Sequence, residues 1–107
     1  MSAQNAATRR WYTARRRELR ELLWEWDPLG LMGAPVDEYD SLVDRMLSAL
    51  INRRDDDAVA AAVVEGLSYM GDEGYSAASA DRHSQPAELD PFLSRVRQWW
   101  RTAPPSP

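Results

Sequence analysis

The chain turns at Trp26-Asp27-Pro28-Leu29-Gly30-Leu31 and continues, after a short gap, with Asp37-Glu38-Tyr39-Asp40. The proline disfavours the right-handed helical region at Asp27, so a helix must end at this point. The acidic residues that follow favour the start of a second helix, because carboxylates cap helix N-termini and interact well with the helix dipole there. We expect Asp37 or Asp40 to provide that cap. The apolar residues between the two stretches predict a loop that packs against the core.

Hydrophobic periodicity predicts four helices around this corner. The first runs from about Thr8 to Trp26, the second continues to about Ile51, and the third covers about Asp57 to Met70. The fourth begins near Pro86 or Pro91, and residues 71–85, rich in Gly, Ser, Ala and Asp, predict a mobile loop before it. The predicted fold is therefore an all-α compact bundle of about four helices. It forms one domain over residues 1–107, with an ordered core of about 8–101, a flexible N-terminus and a flexible proline-rich C-terminal tail.

The third predicted helix is apolar around most of its surface, which indicates a central position in the bundle. Gly66 lies in the middle of its main apolar face. Glycine costs about 1 kcal/mol relative to alanine in a helix interior. We interpret Gly66 as the point at which another helix approaches closely.

The composition excludes several classes of protein. The sequence contains no cysteine, which excludes disulfides, thiol catalysis and Cys-ligated metal sites, and all thirteen cationic side chains are arginine. It has no apolar run long enough for a transmembrane helix, and residues 1–8 lack the apolar core of a signal peptide. We therefore expect a cytoplasmic protein with no membrane association and no cofactor.

Charge is segregated along the chain, whose formal net charge is −4. Residues 1–26 carry six Arg against three Glu, whereas residues 27–90 carry four Arg against ten Asp and four Glu. Residues 91–107 carry three Arg and no acid. Two basic ends thus flank a strongly acidic middle, which favours either pairing within the chain or binding to a basic partner.

The W-D-P-apolar-G-apolar pattern, followed by D-E-Y-D and paired leucines, resembles a group of small bacterial proteins known mainly as domains of unknown function. The similar stretch covers about Leu19 to Met70, half of the chain. The resemblance implies a small helical fold. It implies no activity and no catalytic residues.

Acidic residues near the start of the second helix form the densest negative surface that the sequence predicts. Asp37, Asp40 and Asp44 are spaced three and four apart, so they would share one helix face. One interpretation is a docking face for a basic partner, where charge complementarity speeds and orients association. The other is a solvated helix face. The predicted partner-binding residues are Trp24, Asp37, Glu38, Asp40 and Asp44.

The first helix is rich in arginine, which can neutralise phosphates and release counterions. Glutamates interleave with these arginines, so pairing with the acidic middle of the chain is the alternative interpretation. Arg15 falls on the apolar face, where it either pairs with an acid or overhangs the core. The residues predicted for a nucleic-acid-binding alternative are Arg9, Arg10, Arg16, Arg17 and Arg20.

Two tryptophans at the end of the first helix point in different directions, because residues two apart lie on nearly opposite sides of a helix. If Trp26 belongs to the core, Trp24 faces outward beside Arg17 and Arg20. An outward Trp24 is either a cation–π surface pair or an interface anchor, since tryptophan and arginine are enriched at binding hot spots.

Catalysis finds little support in the sequence. His83 is the only histidine and falls in the predicted mobile loop, where a catalytic group would be poorly positioned. The sequence lacks a phosphate-binding glycine loop, a nucleotide-binding fingerprint and a glycine-punctuated calcium loop. We therefore predict neither catalytic residues nor a metal site.

The leading functional prediction is a non-catalytic, immunity-like or inhibitor protein that uses an acidic face to bind a basic partner protein. The first alternative is a nucleic-acid-associated regulatory protein that uses the Arg-rich helix. The second is a self-associating structural protein, a homo-oligomer joined through Trp24 and the apolar loop.

Overall fold

The computed structural model describes residues 3–52, 55–72 and 76–105, and these residues form five helices. The all-α prediction is confirmed, and the predicted number of about four helices is one too low. The first helix also begins five residues earlier than predicted. The helices are α1 (Ala3–Trp26), α2 (Asp40–Ile51), α3 (Asp56–Asp72), α4 (Ala77–His83) and α5 (Pro86–Thr102).

The additional helix, α4, lies where the sequence predicted a mobile loop. It begins after Ser76, whose hydroxyl accepts a hydrogen bond from the Ser79 N–H at 3.1 Å and so caps the helix. Ala80 and His83 are buried on its inner side. The loop prediction was wrong here because small polar residues dominate the composition, although alanine and a serine cap are sufficient for a two-turn helix that packs on its neighbours.

The corner between α1 and α2 forms as the sequence predicted, but through a different backbone geometry. Asp27 leaves the right-handed region and takes a φ of +44°, while its N–H still donates to the Leu23 carbonyl at 2.7 Å. Aspartate adopts this left-handed conformation more readily than most residues. The following Pro28 and Leu29 are buried, so the loop packs inward at its start.

The start of α2 differs from the predicted acidic cap. Tyr39 occupies the N-cap position, and the structure shows no side-chain cap hydrogen bond there. Asp37 lies in the turn before the helix, while Asp40 is the first helical residue. The cap prediction was wrong because the Asp40 carboxylate binds arginine side chains of α1 instead of backbone N–H groups.

The core lies between the helices, and α2 packs against both α1 and α3. Helix α4 packs on α3 and α5, and α5 returns to α1. Pro86 begins α5, where its missing N–H is tolerated, and Pro91 lies inside that helix rather than at its start. None of the described helices combines the length and apolar character needed to cross a membrane. Buried core residues include Leu19, Leu23, Leu42, Val43, Met46, Leu47, Val63, Leu67, Phe92 and Val96.

The predicted close approach at Gly66 is confirmed. A Cβ built on Gly66 would lie 2.5 Å from Cδ1 of Leu42, which is fully buried in α2. The α2–α3 contact is therefore tight because residue 66 has no side chain.

We expect Gly66→Ala to lower the free energy of unfolding by about 1–2 kcal/mol. Overpacking against Leu42 outweighs the gain of about 1 kcal/mol in helix propensity. The measurement is urea unfolding followed by circular dichroism, with Ser68→Ala on the exposed side of α3 as the control. The control should keep or slightly raise stability. Equal stabilities for Gly66→Ala and the wild type would contradict the close approach.

Candidate functional site

A buried hydrogen-bond network closes the corner between α1 and α2. The Tyr39 hydroxyl donates to Asp27 Oδ1 at 2.7 Å and accepts from the Leu29 N–H at 3.0 Å. The same Asp27 oxygen accepts from the Leu31 N–H at 2.7 Å. Tyr39 has no exposed surface, so both roles of its hydroxyl are satisfied inside the protein.

The environment of Tyr39 keeps its phenol protonated. Burial raises the pKa of Tyr39 well above its ordinary value of 10.0, and the hydrogen bond to Asp27 raises it further. Because the unfolded phenol titrates near its ordinary pKa, this contribution to stability is complete below pH 10.0 and is lost as the pH rises beyond it.

Trp24 lies beside this corner and is half-buried instead of facing fully outward. Its Nε1–H donates to the Val36 carbonyl at 2.9 Å, and its ring meets the Tyr39 ring edge-on at a centroid separation of 4.9 Å. The loop before α2 therefore covers one side of the indole. A shallow cleft of about 530 Å³ remains beside it, which we call the Trp24 cleft; its lining residues are Arg20, Glu21, Trp24, Glu25 and Val36.

The three acidic residues predicted to share one helix face, Asp37, Asp40 and Asp44, are called here the acidic stripe. They differ in the contacts that they make. Arg20 forms two hydrogen bonds to the Asp40 carboxylate, at 2.9 and 2.8 Å, and Arg16 binds Asp44 at 2.8 and 3.2 Å. Arg16 also lies 3.3 Å from Asp40. Asp37, which the sequence placed on the same helix face, is exposed in the turn before α2. The stripe is therefore not one helix face, and its helical part is paired with α1.

The arginines predicted for nucleic-acid binding fall into two groups. Arg16 and Arg20 are held by carboxylates of α2, and the hydrogen bond that Arg16 donates to Asp44 raises the pKa of Arg16 above its usual value. Arg9, Arg10 and Arg17 have exposed side chains on α1. The structure thus brings Arg16 and Arg20 together with two of the predicted partner-binding residues, Asp40 and Asp44, in one ion-pair network.

Arg15 is buried, and its side chain pairs with an acid, as one of the two sequence interpretations proposed. Its guanidinium binds Glu18 through hydrogen bonds of 3.0 and 2.8 Å, and Trp99 Nε1–H donates to the same carboxylate at 2.9 Å. These donors lower the pKa of Glu18 despite its partial burial, with Arg15 making the largest contribution. The network joins α1 to α5. The network's contribution to the free energy of unfolding is lost at acidic pH, as the Glu18 carboxylate becomes protonated.

His83 is buried at the end of α4, so its predicted place in a mobile loop was wrong. Its Nδ1 lies 2.8 Å from the Ser79 carbonyl, which can only accept, so Nδ1 carries the proton. The ring meets Trp26 edge-on at 5.5 Å, and Trp26 stacks on Phe92 at 4.1 Å. His83 therefore packs against Trp26 of α1, which in turn packs against α5.

Sequence reasoning missed Glu21 and Val36, which line the Trp24 cleft together with the predicted Trp24. Glu21 carried a signal, because it lies on α1 three residues before Trp24 and therefore shares its side of the helix. Val36 carried none, because its position depends on how the loop folds over the indole.

The described residues contain no group of three or more His, Asp or Glu side chains arranged to hold a metal ion. No model of a protein family matches the chain, and no curated protein or solved structure is detectably similar to it. The resemblance of residues 19–70 to small bacterial proteins stays a prediction.

We expect Arg20 and Asp40 to be energetically coupled by about 1 kcal/mol, because the pair is bidentate and partly screened from water. A double-mutant cycle with Arg20→Gln and Asp40→Asn, measured by urea unfolding, gives this coupling. The pair Arg95 and Glu25 is the control, because its side chains are 52% and 58% exposed and should couple by less than about 0.5 kcal/mol. Equal coupling in both cycles would contradict a structural role for the α1–α2 pairing.

We expect Tyr39→Phe to lower the free energy of unfolding by about 1–3 kcal/mol, because the buried Leu29 N–H loses its partner. The difference from the wild type should narrow as the pH rises above 10.0, where the wild-type phenol loses its advantage. Thermal and urea unfolding at neutral and alkaline pH measure both effects. Tyr12→Phe on the exposed side of α1 is the control. An equal decrease in the free energy of unfolding for Tyr12→Phe would contradict a stabilising role of the buried Tyr39 hydroxyl.

Proposed function

We propose that this chain is a non-catalytic protein-binding domain whose Trp24 cleft takes a basic segment of a partner protein. It would act stoichiometrically, as an immunity-like or inhibitor protein does. The observation that carries the proposal is the indole of Trp24 in a cleft bordered by carboxylates. The arginine in the same cleft, Arg20, is already neutralised by Asp40.

The cleft offers apolar surface at its centre. One side of Trp24 faces it, and Val36 beside it is 67% exposed. Tryptophan is among the residues that contribute most to binding energy when a partner excludes water from it. The hydrogen bond from the indole to the Val36 carbonyl fixes the ring in advance, so little side-chain entropy would be lost on binding.

The charges around the cleft favour a basic partner. Glu21 lines the cleft and Asp37 follows Val36 directly in the chain, and both side chains are exposed. Arg20 also lines the cleft, but Asp40 holds its guanidinium in a bidentate pair. The balance of charge is therefore negative, which would speed and orient association with a cationic segment. Glu38, the next residue after Asp37, is also one of the predicted partner-binding residues.

Charge reversal on the exposed carboxylates tests this proposal. Glu21→Arg with Asp37→Arg changes the sign of the cleft and leaves the described ion pairs of α1 and α2 intact. The matched control is Glu65→Arg with Asp81→Arg, which makes the same charge change at exposed positions of α3 and α4. Tagged wild-type, cleft and control proteins are used in parallel to capture partners from host lysate at low and moderate salt. Captured protein and nucleic acid are then quantified.

We expect a basic protein to be retained by the wild type and the control and to be lost at least about tenfold from the cleft variant, the equivalent of about 1.4 kcal/mol. Equal retention by all three proteins would overturn the assignment of the cleft. Recovery of nucleic acid alone, released by salt, would instead favour the alternative that uses Arg9, Arg10 and Arg17. A molecular mass of the wild type that rises with protein concentration would favour self-association through Trp24 and the apolar loop before α2.

A further inference from the structure

The C-terminal tail lies on an aromatic groove formed by α1, α2 and α5. Trp11 and Trp100 meet edge-on at 6.0 Å and form the aromatic part of this groove. Leu50 and Ile51 at the end of α2 extend it as apolar surface, and Ile51 is 39% exposed. The groove has a volume of about 300 Å³, and residues 103–105 of the tail line its remaining side.

Ala103, the first residue after α5, has the backbone conformation of a polyproline helix. Ala103 has φ −69° and ψ 142°, close to the values of about −75° and +145° that define this helix. The next residue, Pro104, accepts a hydrogen bond at its carbonyl from Trp11 Nε1–H at 2.6 Å. A proline cannot donate through its nitrogen, so its carbonyl is the group by which such a segment is recognised.

We propose that the groove of Trp11 and Trp100 is a recognition site for proline-rich segments, which the chain's own tail occupies and a proline-rich segment of a partner protein displaces. Aromatic grooves suit such ligands because the polyproline helix is extended, apolar and already ordered before binding. The indole N–H provides the one directional contact, and the apolar side chains of α2 provide surface for further prolines.

The manner in which the tail is held makes displacement feasible. Pro104 and Pro105 follow α5 outside any helix and are exposed. A single side-chain hydrogen bond, from Trp11 to the Pro104 carbonyl, holds the described part of the tail in the groove. The tail competes through an effective concentration in the millimolar range, which a longer ligand overcomes by also covering Leu50 and Ile51.

This site is separate from the Trp24 cleft, because the two share no lining residue. Failure of one assignment therefore leaves the other unaffected. Pro104 and Pro105 lie outside the helices, so substitutions at these two positions should not alter helical content.

The test uses the full chain, labelled with nitrogen-15, and a synthetic peptide with two copies of Ala-Pro-Pro-Ser-Pro, the sequence of residues 103–107. Indole N–H resonances report binding, and Trp11→Phe assigns the Trp11 signal while removing the donor. Pro104→Ala with Pro105→Ala weakens the competing tail. Trp26→Phe, outside both proposed sites, is the matched control for loss of an indole N–H elsewhere. Circular dichroism verifies that every variant is folded.

We expect the peptide to shift the Trp11 resonance and to bind the proline variant about tenfold more tightly than the wild type, because competition from the tail is reduced. Trp11→Phe in that variant should weaken binding at least about fivefold, and Trp26→Phe should leave it unchanged. A Trp11 resonance unmoved by millimolar peptide, or equal binding of a peptide with glycine in place of proline, would overturn the proposal. A wild-type dimer that the proline variant lacks would assign the groove to the tail of a second copy instead.

Discussion

The hydrogen bond between Tyr39 and Asp27 is the contact on which the arrangement of the helices depends. It joins the end of α1 to the start of α2 and connects the fully buried Tyr39 to the partly buried Asp27, where a lost partner is costly. The same corner directs the Pro28 carbonyl toward Ser79, whose hydroxyl donates to it at 2.5 Å and so anchors α4. It also leaves Trp26 inside the bundle, stacked on Phe92 of α5. Four of the five described helices therefore meet around one turn of the chain.

The backbone conformation of Asp27 at this corner is energetically unfavourable, and the hydrogen bonds of the corner offset that cost. A non-glycine residue with positive φ costs about 1–3 kcal/mol, and Asp27 adopts +44°. Its carboxylate is the reason that the conformation persists, because one oxygen accepts from both Tyr39 and the Leu31 N–H. An alanine in place of Asp27 would keep the strain and lose both acceptor contacts. The chain thus fixes the angle between α1 and α2, and that angle brings the arginines of α1 to the carboxylates of α2.

The sequence pattern correctly predicted structural features that depend on neighbouring residues in the chain. It failed for features that depend on contacts between residues far apart in the chain. The period of Leu42, Val43, Met46 and Leu47 predicted α2 and its buried face, and Gly66 predicted a close approach. Helix α4 was missed because its stability comes from packing and one serine cap rather than from apolar periodicity. The ion pairs of Arg16 and Arg20 were anticipated only as a general alternative, since their partners lie 28 and 20 residues away. The Trp24 cleft likewise depends on where the loop places Val36.

The two surfaces proposed for binding contain the same kind of hydrogen bond, but we expect it to persist in one and to be exchanged in the other. In each, an indole N–H donates to a backbone carbonyl of the chain itself, from Trp24 to Val36 and from Trp11 to Pro104. The polar group of the indole is thereby satisfied, and its apolar surface remains available to a ligand. Val36 lies in a loop fixed at both ends by helices, so its contact persists and the Trp24 cleft is preformed. Pro104 lies in an extended, exposed segment after α5, so its contact can be exchanged for an equivalent carbonyl of another chain. The setting of the accepting carbonyl, and not the chemistry of the indole, therefore distinguishes a permanent surface from one that a competing ligand can open.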